Sequence, residues 1–113
     1  MSRLDPANAE QVTSRVRELA YGVGNIAYSD HGLREALAED FSEQDVRQAL
    51  INGELLENYP EHRRGPCCLM SGKTAERRNV HIVVTTALAR LLVITVYEPK
   101  EPKWRNPTER GQQ

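Results

Sequence analysis

Lys73, Arg77, Arg78, His81 and Tyr97 lie close together in the chain, with Lys100 just beyond them. These types could cleave RNA without a metal. That chemistry needs a base for the ribose 2′-hydroxyl, an acid for the leaving 5′-oxygen, and cations for the charge that grows on phosphorus. A histidine that titrates near neutrality can act as base or acid. Lys73, Arg77 and Arg78 could hold phosphate, and Tyr97 could donate a hydrogen bond or stack on a base. The bland alternatives are a strand histidine satisfied by its neighbours and a tyrosine packed on the next strand.

His31 is the second acid–base candidate. It falls in the first turn of an expected helix, where the dipole favours a neutral imidazole. More often such a histidine caps or packs. His62, Arg63 and Arg64 sit in an expected loop. The arginines could extend a phosphate track, or simply be solvated. Gly72-Lys73-Thr74 is not a phosphate loop, because the upstream glycine and the following helix are missing. Cys67 and Cys68 are adjacent and would point to opposite faces of a strand, so they should not bridge each other. With three histidines and no other cysteine, no metal site is expected, nor any other cofactor.

The elements that must position these groups can be read from periodicity. Ala9, Val12, Val16, Leu19, Ala20 and Val23 recur at helical spacing, which predicts a helix over about 6–22, capped at Asp5-Pro6. Asn25 to Tyr28 reads as a short connection. Ser29 or Asp30 caps a second helix over about 30–39, and Ser42 with Asp45 opens a third over about 43–52. Four strands follow, at about 54–59, 67–74, 79–86 and 91–97. Their short links, ALAR among them, favour an antiparallel meander. A register pairing Ile82 with Ile94 puts Val80, Ile82, Val84, Leu92 and Val96 on one face, with Cys68 and Met70. The other face carries Ser71, Lys73, His81, Val83, Thr85, Thr95 and Tyr97. The expected fold is therefore α+β: a single domain over 1–99, N-terminal helices on one face of a four-stranded antiparallel sheet. Residues 100–113 form a polar tail, ordered where Trp104 docks.

Bulk properties agree with one small domain. Residues 1–57 carry eleven acidic side chains and five arginines, whereas residues 58–113 carry five glutamates and ten lysines or arginines. The basic half suits an anionic partner such as RNA, unless the two halves simply attract each other. No apolar run reaches membrane-spanning length and no signal peptide is recognisable, so a reducing cytoplasm is expected.

The run DVRQALINGELLENYP, then R-x-G-P-C-C-L, GKT, VHIVV and LLVITVYEP with Trp104 after it, resembles the bacterial domain-of-unknown-function family 4258. YSDH before the second helix fits its usual opening. The likeness runs from about Val16 to Trp104. By motif, His31 matches the histidine before the second helix, His81 the one in VHIVV, and Lys73, Tyr97 and Glu98 the GKT and VYEP positions. That family is similar in expected fold to RelE/barnase-like toxin ribonucleases. The resemblance implies a ribonuclease toxin acting on RNA, on or off the ribosome. It also implies a zinc-finger-type antitoxin partner. One departure matters. After the first histidine the family runs Ala-x-x-Arg-Met-x-Glu-Arg-Gly, and Glu35 stands at the first arginine while Asp40 stands at the glycine. If that arginine grips phosphate, activity here is weakened or lost, and the alternative is a non-catalytic module that binds RNA or protein. A structural dimerisation domain is the third reading.

Overall fold

Asn8, not Asp5, caps the first helix in the computed structural model, which describes residues 4–22, 24–86, 89–100 and 103–111. Its side chain accepts the Gln11 N–H, and α1 runs Ala9–Tyr21. Residues 5–8 make a turn instead, closed by the Asn8 N–H on the Asp5 carbonyl. Val23, expected on the apolar face of this helix, lies outside the described residues, as do residues 87 and 88 of the ALAR link. Ser29 caps α2, Asp30–Ala38. Ser42 and Asp45 form the expected capping box of α3, Glu43–Asn52, each side chain accepting the other's backbone N–H. Val12, Val16 and Ala20 of α1 and Val46, Ala49 and Leu50 of α3 are buried on the sheet side.

The sheet corrects the expected topology. It has five strands, in the order β1-β5-β4-β3-β2, and is not all antiparallel. The unforeseen strand is β1, Ile26–Tyr28, where a connection was expected; it pairs parallel with Leu91–Val93. Three residues are too few to display a period of two. The others are β2 Glu54–Tyr59, β3 Cys67–Lys73, β4 Asn79–Thr85 and β5 Leu91–Tyr97, and these four do form the antiparallel meander.

Register differs too. Ile82 pairs with Val96, not Ile94. Val83 faces Thr95 and Val84 faces Val93, so Ile94 is the extra residue of a β-bulge. The bulge shifts the parity of the first half of β5. Leu91, Val93 and Val96 enter the core, while Leu92 and Ile94 do not. The predicted inward set was right for Cys68, Met70, Val80, Ile82, Val84 and Val96, all fully buried, and wrong for Leu92.

The helices also do not all share one face. α1 and α3 cover the sheet, but α2 runs along the edge of β5 beyond the point where β1 stops. The Ser29 N–H donates to the Val93 carbonyl at 2.9 Å, the Glu35 carboxylate accepts the Val96 N–H at 3.1 Å, and the Glu39 carboxylate accepts the Glu98 N–H at 3.1 Å. Two glutamates one turn apart thus satisfy donors that an edge strand leaves bare. Packing of α3 on β3 explains Gly72: a Cβ there would lie 2.0 Å from the Ala49 carbonyl oxygen. The glycine of GKT serves close helix–sheet approach.

The tail folds as a small hairpin, β6 Trp104–Asn106 with β7 Glu109–Arg110, turning at Pro107 and Thr108. It lies over the outer face of the sheet. Trp104 is buried, and the Arg110 guanidinium stacks on its ring and makes two 2.7 Å bonds to the Glu57 carboxylate.

Candidate functional site

His81 and Tyr97 stand directly opposite each other on the outer face of β4 and β5. The antiparallel pairing brings the Tyr97 hydroxyl to 3.1 Å from His81 Nδ1. His81 Nε2 lies 2.6 Å from the Pro107 carbonyl, which can only accept. Nε2 therefore carries the proton, and Nδ1 of the neutral ring accepts from Tyr97. His81 is 0 % exposed, packed edge-on against Trp104 at 4.3 Å and Tyr97 at 5.2 Å. Burial lowers its pKa, opposed by the Pro107 bond and by Glu57. Burial likewise raises that of Tyr97, against the smaller pull of the Trp104 indole and of Arg110. The Trp104 indole N–H has no full hydrogen-bond partner among the described residues.

His31 has the opposite character. It is 68 % exposed, and its Nε2 lies 3.2 Å from the Glu35 carboxylate, one helical turn on. Glu35 also holds the Val96 N–H, and its charge is felt at Tyr97, the next residue along β5. One carboxylate therefore links the exposed imidazole of α2 to the strand that carries Tyr97. Lys103 reaches over the Tyr97 ring, 5.5 Å from its centre. Lys100 is exposed nearby in sequence, with its carbonyl taken by the Trp104 N–H.

The remaining candidates divide. Lys73 lines an open groove of about 790 Å³ with Arg17, Asn52, Ser71, Asn79 and Thr108. Its backbone is bound on both sides by Asn52, at 2.9 and 3.1 Å. Arg77 is exposed in the β3–β4 turn, at a positive φ of 68°. Arg78 is committed within the fold: it donates to the Asp40 and Glu39 carbonyls at 2.8 and 2.9 Å, meets Glu98 at 3.4 Å and stacks on Phe41 at 4.0 Å. That clamp holds the end of α2, where Asp40 takes a left-handed φ of 59°. Arg63 and Arg64 lie at the other end of the sheet, beside Thr85. Cys67 and Cys68 are buried free thiols; burial raises both, Cys68 to about 12, which makes thiolate chemistry unfavourable. Among the described residues no cluster of His, Cys, Asp or Glu could hold a metal ion, and no helix is long and apolar enough to cross a membrane.

Sequence reasoning missed Glu35 as a partner of His31 and the hairpin that closes over His81. The first was visible as a His–Glu spacing of one turn. The second was signalled only by a lone tryptophan and an Asn-Pro-Thr turn in a polar tail.

The motifs that gather here, from Tyr28 at the end of β1 to Glu98 after β5, coincide with a known family. The family described as a domain of unknown function (DUF4258) matches residues 28–98. The chain belongs to that family. No curated protein and no solved structure matches. The DUF4258 region thus spans α2, α3 and strands β2 to β5 and includes His31, Glu35, Lys73, His81 and Tyr97. The α1 helix and the β6–β7 hairpin lie outside it.

Proposed function

We propose that this DUF4258 domain is a ribonuclease-like toxin component, of RelE/barnase-like kind, that cleaves RNA through the 2′-hydroxyl. The observation that carries the reading is the His31–Glu35 pair beside Tyr97. It provides a solvent-open imidazole held by a carboxylate that also accepts the Val96 N–H, one residue before a tyrosine whose phenol is oriented by a buried histidine. The role of first candidate passes from His81 to His31. In this mechanism His31 takes the proton of the 2′-hydroxyl and the 2′-oxygen attacks phosphorus. The 5′-oxygen leaves with a proton from the Tyr97 hydroxyl. Lys103 and Lys100 offset the charge on the phosphoryl oxygens. Glu35 orients His31, as a carboxylate orients the imidazole in other acid–base pairs. The reaction class rests on analogy of fold and motif. A zinc-finger-type antitoxin, covering the basic side of this site, is the partner that goes with it.

One observation favours a second reading, a binding module without catalysis. His81 is sealed under the hairpin and Arg78 is occupied within the fold, so two groups read as catalytic and phosphate-holding are not open to a substrate.

Incubating the purified protein with RNA, with and without ribosomes, separates these. His31→Ala is expected to reduce cleavage by roughly 10²- to 10⁴-fold, the usual worth of a general acid or base, while leaving RNA affinity unchanged. Cleavage that survives this substitution would remove the proposed site. RNA binding by the wild type with no cleavage, and no growth arrest on expression, would establish the binding module instead.

A further inference from the structure

We infer that the β2–β3 loop and the adjoining end of the sheet form a phosphate-binding cavity, built by His62, Arg63, Arg64 and Thr85. The inference deepens the RNA reading above by naming where a phosphate sits. It rests on that reading only for the source of the phosphate.

The loop is shaped by its own bonds. The His62 N–H donates to the Tyr59 carbonyl at 3.3 Å, and the Gly65 N–H to the His62 carbonyl at 2.8 Å. Gly65 takes a φ of 113°, a conformation that residues with a side chain rarely adopt. Beyond it the Pro66 carbonyl is tied to the Thr86 N–H at 3.1 Å, which anchors the loop to the end of β4. A partly open space of about 350 Å³ lies between His62, Arg63, Arg64, Gly65, Thr85 and Ile94. That volume is at the small end of ligand sites.

The lining is chemically one-sided. The Arg64 N–H donates to His62 Nδ1 at 3.2 Å, so Nδ1 is used as an acceptor and the ring's N–H is on Nε2. Thr85 Oγ1 accepts the Leu92 N–H at 3.1 Å, which leaves its hydroxyl hydrogen free to donate elsewhere. Neither guanidinium is paired with a carboxylate among the described residues. No Asp or Glu lines the cavity. Residues that carry two guanidinium groups, an imidazole and a hydroxyl therefore line one space with no side-chain acid among them. A group with several acceptor oxygens and negative charge satisfies them all, and guanidinium forks match phosphate in pairs of bonds. Ile94, brought outward by the bulge in β5, supplies an apolar floor against which a sugar or base attached to that phosphate would rest.

The phosphate can belong to an RNA backbone or to a free nucleotide. The full chain is titrated with inorganic pyrophosphate, followed by amide NMR shifts, and separately with a short labelled oligouridylate, followed by fluorescence anisotropy at several salt concentrations. Pyrophosphate is expected to move the amides of residues 62–65 and Thr85, and Arg63→Gln/Arg64→Gln should abolish that response. Thr85→Val should weaken it while leaving the strand around Leu92 folded, as its melting temperature will report. In the RNA arm the double substitution is expected to lower affinity roughly tenfold. The slope of log affinity against log salt should also fall by about 0.7 for each phosphate that is no longer neutralised. Response in both arms identifies a strand phosphate, and response to pyrophosphate alone identifies a free nucleotide; either supports the cavity. Silence in both arms, or a response that survives the double substitution, overturns it. His31→Ala should bind in both arms as the wild type does, so loss of cleavage and loss of this site are read separately.

Discussion

Two histidines that look alike in sequence occupy opposite chemical environments. His81 is a hydrogen-bonded core residue of the outer face, and its neutral form is the one that fits between Tyr97 and Pro107. Its pKa lies below the ordinary 6.5, first because of burial. The consequence for stability has a definite sign. Above the unfolded value both states hold a neutral ring and nothing is lost. As pH falls below about 6.5 the unfolded chain takes up a proton that the folded chain resists, so stability declines until the folded pKa is passed. Thermal melts from pH 7.5 to 5.5 should show this decline in the wild type and a flatter profile in His81→Gln. An equal slope in the variant would assign the effect to other groups. At neutral pH the same variant should be less stable by about 1–3 kcal/mol, from imperfectly replaced buried hydrogen bonds. Glu57 does not confuse that window: its lowered pKa, due first to Arg110, gives stability that is lost only below the usual carboxylate range. Sequence placed His81 and Tyr97 together correctly, because the antiparallel link between β4 and β5 is short. It could not show that a hairpin from the tail would bury His81.

At the scale of elements, the acid at position 35 has a structural meaning. Glu35, where the resemblance implied an arginine, accepts the Val96 N–H and pairs with His31. With Glu39 on the Glu98 N–H, it lets a helix finish an edge that β1 starts. Glu35→Arg is therefore expected to destabilise the fold by about 1–3 kcal/mol, the cost of leaving a part-buried donor without its acceptor. Amide exchange should quicken first at Val96. Unchanged exchange there would mean that water replaces the carboxylate at no cost. The capping box of Ser42 and Asp45 was legible because it is local, two side chains reading two backbone groups three residues apart. Strand β1 was not legible, because Ile26-Ala27-Tyr28 carries no pattern and its partner Leu91 is far along the chain. The register of β5 failed for a related reason. A bulge at Ile94 leaves the composition of the strand unchanged while moving Leu91 and Val93 inward, and only the facing strand reveals it.

Across the whole molecule the charge asymmetry resolves into contacts between the halves. Arg110, from the basic half, forks onto Glu57 of the acidic half, and Arg78 seats itself on the carbonyls of Glu39 and Asp40. Attraction between halves thus accounts for part of the basic excess, while Arg63, Arg64, Lys73 and Lys100 stay exposed toward solvent. The hairpin is held by two kinds of contact with different weights. The Arg110–Glu57 pair is partly exposed, at 41 % and 26 %, and such pairs contribute little, about 1 kcal/mol or less. Trp104 is 2 % exposed, and deleting a buried tryptophan costs about 3–5 kcal/mol. The two should therefore separate. Arg110→Ala is expected to leave the melting temperature nearly unchanged, while Trp104→Ala lowers it and opens His81 to modification by an imidazole-directed reagent. If Trp104→Ala left His81 protected, the hairpin would not be what seals it, and the burial of that histidine would have to come from the sheet itself. Because Trp104 and Pro107 both contact His81, whereas Arg110 hydrogen-bonds Glu57 and Tyr59 and stacks on Trp104, the sealing function belongs to the first strand and turn of the hairpin, and the ion pair merely aligns them.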